Sequence, residues 1–158
     1  MSLEEIDKLF SLLSQCAWIG EIEKDKRKKE FEADAKNYDE EDKATFEETI
    51  DDIQKLGSNV MEVAGKFIKL YKYQLTPIVW KYLVKPFAAL LDKKNKIESE
   101  TIDSCCFFID VLENLDDEIF NEYYLPISNK FFDIWDENRD KEDWSVLQST
   151  GFGFGVIA

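Results

Sequence analysis

The chain has 158 residues, 44% hydrophobic and 14% aromatic, with a formal charge of −14 and no histidine. That length gives one domain with room for a sizeable core, and the aromatic content excludes a disordered chain. The charge disfavours nucleic acid and anionic membranes as partners, while three prolines and six glycines favour long helices over a many-turned sheet.

In chain order, Leu3, Ile6, Phe10, Leu13 and Ala17 fall at helical spacing behind Ser2, an N-cap residue. Past Gly20 the pattern dissolves into the charge-rich stretch Glu21–Asp34, readable as the same helix continued at the surface. Asn37–Asp42 reads as an acidic linker. A second long helix is predicted from about Lys43 to Lys72, with Gly57-Ser58 and Gly65 as sites for a kink. Thr76-Pro77 starts a third, to about Asp92, with Pro86 bending it. Lys93–Lys96 connects to a fourth, about Glu98–Leu115. The fifth covers about Glu118–Glu137 with Pro126 inside, and a sixth starts near Glu142 and is still running at Ala158. A chain that stops inside an apolar helix predicts a piece of something longer.

The segment Met61–Asp92, shifted by about 44 residues, lands on Cys105–Asp136 with its apolar positions in register. Val63 meets Phe107, Phe67 meets Val111, Leu83 meets Ile127 and Phe87 meets Phe131. A period near 40–47 residues with two helices per unit predicts an all-α fold, a HEAT- or armadillo-type solenoid of stacked antiparallel helix pairs. Residues 1–57 then form a charged long helix with an acidic insertion, and 58–158 about two repeats. Charge follows the repeat: residues 58–95 carry +5 and 96–158 carry −11. Lys66, Lys69 and Lys72 map onto Asp110, Glu113 and Asp116, so an ion pair across neighbouring repeats is expected.

The fourth helix has apolar residues on two sides: Ile102, Cys105, Cys106, Ile109 and Leu112 on one, Phe107 and Val111 on the other. Such a helix is packed on both. Between the sides runs a narrow polar ridge, Asp103, Asp110 and Asn114, facing outward or into a groove, with Glu98 and Glu100 at its head. These five are the candidate partner-binding residues, because an acidic wall attracts Lys/Arg-rich segments. The plainer reading is a solvated face.

Catalytic chemistry is poorly represented. The missing histidine removes the commonest general base, and an enzyme is not expected. Cys16, Cys105 and Cys106 form no disulfide framework and have the wrong spacing for zinc. Asp39–Asp42 lacks the alternation and glycine of a calcium loop, and Gly151-Phe-Gly-Phe-Gly155 lacks the Lys-Ser/Thr of a phosphate loop. No cofactor or metal is expected. Cysteine usage and the lack of a secretory signal or membrane span predict an intracellular, reducing compartment.

Ser104-Cys-Cys-Phe-Phe-Ile-Asp-Val-Leu-Glu113, then Phe120 and Tyr123-Tyr-Leu-Pro126, then Gly153-Phe-Gly-Val-Ile-Ala158 resemble importin-beta-type nuclear transport receptors, most of all the importin beta-three or Ran-binding importin branch. The resemblance extends over about residues 58–158. It implies a HEAT solenoid segment from the C-terminal half of a larger receptor that carries basic cargo proteins between cytoplasm and nucleus. It also implies Ran GTPase and FG nucleoporins as partners, contacted mostly through other repeats. Where such repeats often carry Val-Arg, this chain has Val146-Leu147, which breaks the family's arginine ladder. A HEAT scaffold of a phosphatase or chromosome-organising complex is the alternative.

Overall fold

A computed structural model gives the structure, describing residues 1–34, 36–84, 88, 98–115, 117–141 and 144–158, with side chains from 101 onward in the fourth helix and from 125 onward in the fifth. All the elements it describes are helical, and none is a strand. They are α1 (Leu3–Asp34), α2 (Glu40–Tyr71), a 3₁₀ turn (Lys72–Leu75), α3 (Thr76–Val79) running into a π turn (Trp80–Val84), α4 (Glu98–Asn114), α5 (Asp117–Asn138) and α6 (Trp144–Ile157).

α1 begins as its sequence suggests. The Ser2 hydroxyl accepts from the Glu5 N–H at 3.3 Å while the Glu5 carboxylate accepts from the Ser2 N–H at 2.7 Å, a reciprocal cap. The helix then runs straight through Gly20 to Asp34. Gly20 faces α2, where an added Cβ would lie 3.4 Å from Ile53. Beyond it, Glu23–Arg27 and Lys26–Glu30 pair one turn apart and support the exposed segment. Lys24, by contrast, is buried and pairs with Glu21 at 2.5 Å.

The acidic run expected to be a linker is instead the start of α2. Asp39 accepts from the Asp42 N–H at 2.9 Å and Asp42 accepts from the Asp39 N–H at 3.2 Å. Glu40, Glu41 and Asp42 occupy the first turn, where negative charge complements the helix dipole. Phe31 stacks on Phe46 with ring centroids 4.2 Å apart and meets Tyr38 edge-on at 4.9 Å, closing the turn between the two helices. α2 continues as one helix through Gly57 and Gly65. It stops at Lys72, whose φ of 49° is the one left-handed value among the described non-glycine residues.

Thr76-Pro77 opens α3 as expected, with proline in the first turn. Pro86 and the Lys93–Lys96 connector lie outside the described residues. Pro126 sits inside α5, which is one helix from Asp117 to Asn138.

The packing follows a row. α1 lies on α2, α2 on α4 and α4 on α6, while α5 covers α6 and touches α4. α1 and α2 are antiparallel, Phe10 meeting Phe67 edge-on at 5.9 Å and Gly20 facing Ile53. α3 and its π turn cover α1, where Asp7 accepts from the Tyr82 hydroxyl at 3.1 Å and meets Lys81 at 3.5 Å.

The two-sided reading of α4 holds. Cys105, Phe108, Ile109 and Leu112 are buried on one side and Phe107 and Val111 on the other. Cys106 is the exception, exposed rather than in the core. The 44-residue register also reappears in burial. Val60 and Ser104, Met61 and Cys105, Ala64 and Phe108, Ile68 and Leu112, and Leu83 and Ile127 are buried at both members of each pair.

Ser104 breaks the apolar rule of that set. Its hydroxyl is fully buried without a hydrogen-bond partner among the described residues, at the position where the first unit has Val60. A buried unpaired hydroxyl costs about 1–3 kcal/mol. Ser104→Ala is therefore expected to raise unfolding free energy by about 1 kcal/mol in urea denaturation; a loss of stability would mean that the hydroxyl is satisfied.

Candidate functional site

α2 and α4 lie side by side and parallel, because contacts advance along both together. The Ser58 hydroxyl donates to the Asp103 carboxylate, 45 residues on. At the same offset, a Cβ on Gly65 would lie 2.6 Å from Oδ2 of Asp110. Between the helices runs a groove of about 330 Å³. Ser58, Glu62, Gly65, Lys66 and Lys69 line it from α2, and Asp103, Cys106 and Asp110 from α4, over a floor that includes Met61 and Phe107.

Asp103 and Asp110 recur two turns apart on α4, so both carboxylates enter this groove. Asn114, one turn further, is half-buried and donates its side-chain amide back to the Asp110 carbonyl at 3.1 Å. Glu98 and Glu100 lie in the first turn of α4; their side chains fall outside the described residues. The polar ridge of the sequence is thus one wall of a groove whose other wall is α2.

The expected ion pair between the two units is present, displaced by a turn. Lys69 meets Asp110 at 2.9 Å, whereas Lys66 bonds within its own helix to Glu62. Asp116, the expected counterpart of Lys72, lies outside the described residues. Helical side chains lean toward the N-terminus. Lys69 therefore reaches back over Gly65, the position opposite Asp110, where no side chain blocks it. Gly65 was expected as a kink; its role is to let the Asp110 carboxylate close in on the α2 backbone. The sequence signal was present, since the 44-residue shift placed a small residue within one position of Asp110.

The two carboxylates differ in circumstance. Asp110 is largely buried and holds the cation of Lys69, whose ammonium pKa is raised chiefly by that hydrogen bond. Asp103 accepts from a neutral hydroxyl and meets no cation among the described residues. Between them, Cys106 is exposed on the groove wall but its thiol is partly desolvated by its neighbours; that desolvation, and then the Asp103 and Asp110 carboxylates, push the thiol up. It stays protonated and is a poor nucleophile at neutral pH. No group of three or more His, Cys, Asp or Glu placed to hold a metal occurs among the described residues, nor is any helix there long and apolar enough to cross a membrane.

Comparison of the chain with family profiles, with curated proteins and with solved structures returns no match.

The Gly65–Asp110 approach gives a sharp coupling test. Gly65→Ala alone should destabilise the fold by about 1 kcal/mol or more, because the new methyl displaces a carboxylate held in a partly buried pair. With Asp110→Ala already present, the same change should stabilise by up to about 1 kcal/mol through helix propensity. Equal effects in both backgrounds would contradict the close approach. The pair also carries a pH signature. A lysine whose pKa is raised on folding contributes stability below its ordinary pKa and loses it as pH rises through the raised value. The stability advantage over Lys69→Met is thus expected to hold at neutral pH and fade in the alkaline range, which pH-dependent urea titrations check.

Proposed function

We propose that this chain is part of a non-catalytic helical-repeat scaffold of the importin-beta type, which takes Lys/Arg-rich segments of cargo proteins. In this reading it is a stretch of HEAT solenoid that serves between cytoplasm and nucleus. GTP-loaded Ran and FG nucleoporins are further partners of the whole receptor, engaged mostly by other repeats.

One observation carries the proposal. α2 and α4 stand parallel at an offset of 45 residues, close to the 44-residue period of the sequence, which is the relation of equivalent helices in successive repeats. The groove between them holds the carboxylate of Asp103, whose partner among the described residues is a serine hydroxyl. A lysine or arginine of an extended segment gains a charge-assisted hydrogen bond there without breaking an existing ion pair. The net charge of −14 draws basic segments to the molecule and raises their association rate. Asp110, already satisfied by Lys69, contributes through the shape of the groove.

Fluorescence anisotropy with a labelled Lys/Arg-rich peptide tests this. Binding should weaken steadily between about 0.05 and 0.3 M salt, as screening lengths shorten, and Asp103→Lys should weaken it about fivefold or more at low salt. A scrambled acidic peptide should not bind. Affinity unchanged by Asp103→Lys at low salt would remove the groove from the recognition surface.

A further inference from the structure

The groove between α2 and α4 is built twice, two turns apart. Ser58 and Gly65 stand opposite Asp103 and Asp110 at the same 45-residue offset. One turn past Gly65 on α2 is Lys69, which leans back to meet Asp110 at 2.9 Å. One turn past Ser58 is Glu62, which lines the groove and bonds to Lys66 of its own helix. The two levels share a geometry and differ in one charge. At the level of Asp110 the chain supplies its own cation; at the level of Asp103 the matching position carries an acid.

The filled level is a template for what the other one takes. Lys69 reaches Asp110 along a side chain that stays 59% exposed, while the carboxylate it holds is 16% exposed. A cation from outside can therefore replace the Lys69 ammonium without moving a buried side chain. Each replacement breaks one ion pair for the one it makes, so it gains almost nothing. Asp103 and Asp110 are seven residues apart on α4, about 10.5 Å at 1.5 Å per residue. A segment in the polyproline II conformation repeats its side-chain direction every third residue, about 9.3 Å. Cations three residues apart on such a segment match the two carboxylates, and one of those carboxylates already holds a lysine.

We propose, on the reading of the groove as a site for basic segments, that Asp103 and Asp110 are paired cation subsites and that Lys69 is the internal occupant of the second. Lys69 then sets specificity. The groove responds to one lysine or arginine, and a second one three residues on adds little. Removing the Lys69 charge converts it into a site for two.

NMR titration of the full chain at about 0.05 M salt, where charge screening is weak, tests the proposal and reads millimolar affinities. Two alanine–proline peptides are compared, one with a single lysine and one with two lysines three residues apart. In the unchanged chain the second lysine should improve Kd by less than about twofold. In Lys69→Met it should improve Kd about fivefold or more. Lys69→Met with Asp110→Asn has the same net charge of −14 as the unchanged chain, and there the gain should fall back below about twofold. Circular dichroism checks that all three are equally helical; if Lys69→Met loses helix, Lys69→Gln removes the charge and keeps a donor for Asp110. A second lysine worth as much in the unchanged chain as in Lys69→Met would overturn the proposal, and so would a gain that survives Asp110→Asn. Asp103→Lys separates the two levels of the account. If it weakens the one-lysine peptide while Lys69→Met leaves the gain unchanged, the groove stands and the role of Lys69 falls. If it has no effect on that peptide, both fall.

Discussion

α4 is the helix on which the other elements depend, because it carries apolar side chains on two faces and must be covered from both. Phe107, Phe108, Val111 and Leu112 lose almost all their solvent exposure only if α2 lies on one side and α6 on the other. Burying four such side chains favours the folded state by roughly 6–12 kcal/mol, against a net stability that for a domain is only about 5–15 kcal/mol. The placing of α2 and α6 is therefore tied to the burial of one helix, and the groove exists because the polar ridge of α4 falls at the margin of that contact.

The same constraint explains how the groove and a structural contact share residues. Where α2 and α4 press together, the chain has Met61, Phe107 and the bare backbone of Gly65. The groove's polar lining, Asp103, Lys69 and Asp110, lies along the edge of that contact. The Lys69–Asp110 pair is half in water, so its direct contribution is small, about 0–1 kcal/mol. Its larger consequence is geometric, since it holds the Asp110 carboxylate against Gly65 and leaves Asp103 without a cation among the described residues.

Much of this was legible in the sequence, and the reasons for the rest are specific. Helical spacing and the 44-residue shift gave six helical segments in the right order, the two-sided character of α4 and the proline inside α5. The second long helix was underestimated at its charged start, whereas the first continues through its charged end as read. Glu21–Asp34 has no apolar period, yet it remains helical through pairs one turn apart and through Gly20 packing on Ile53. Asp39–Asp42 looked like a linker because four consecutive acids repel in isolation; as a reciprocal cap on a helix N-terminus they are favourable. Of the candidate residues, Asp103 and Asp110 were found by the polar ridge alone. Their α2 partners were not, because a one-turn displacement by a leaning lysine and the close approach allowed by a glycine depend on how two helices meet.

The register of α2 against α4 is the central claim, and an engineered disulfide measures it directly. With Gly65→Cys and Asp110→Cys in a Cys106→Ser background, the new Cβ atoms should approach to about 4–5 Å, near the reach of a disulfide bond. Mild oxidation followed by peptide mapping should therefore recover a 65–110 link in high yield. Gly65→Cys with Glu113→Cys, one turn further along α4, should give little. A preferred 65–113 link, or no link in either protein while both remain folded, would contradict the parallel, 45-residue alignment from which the groove and its proposed role derive.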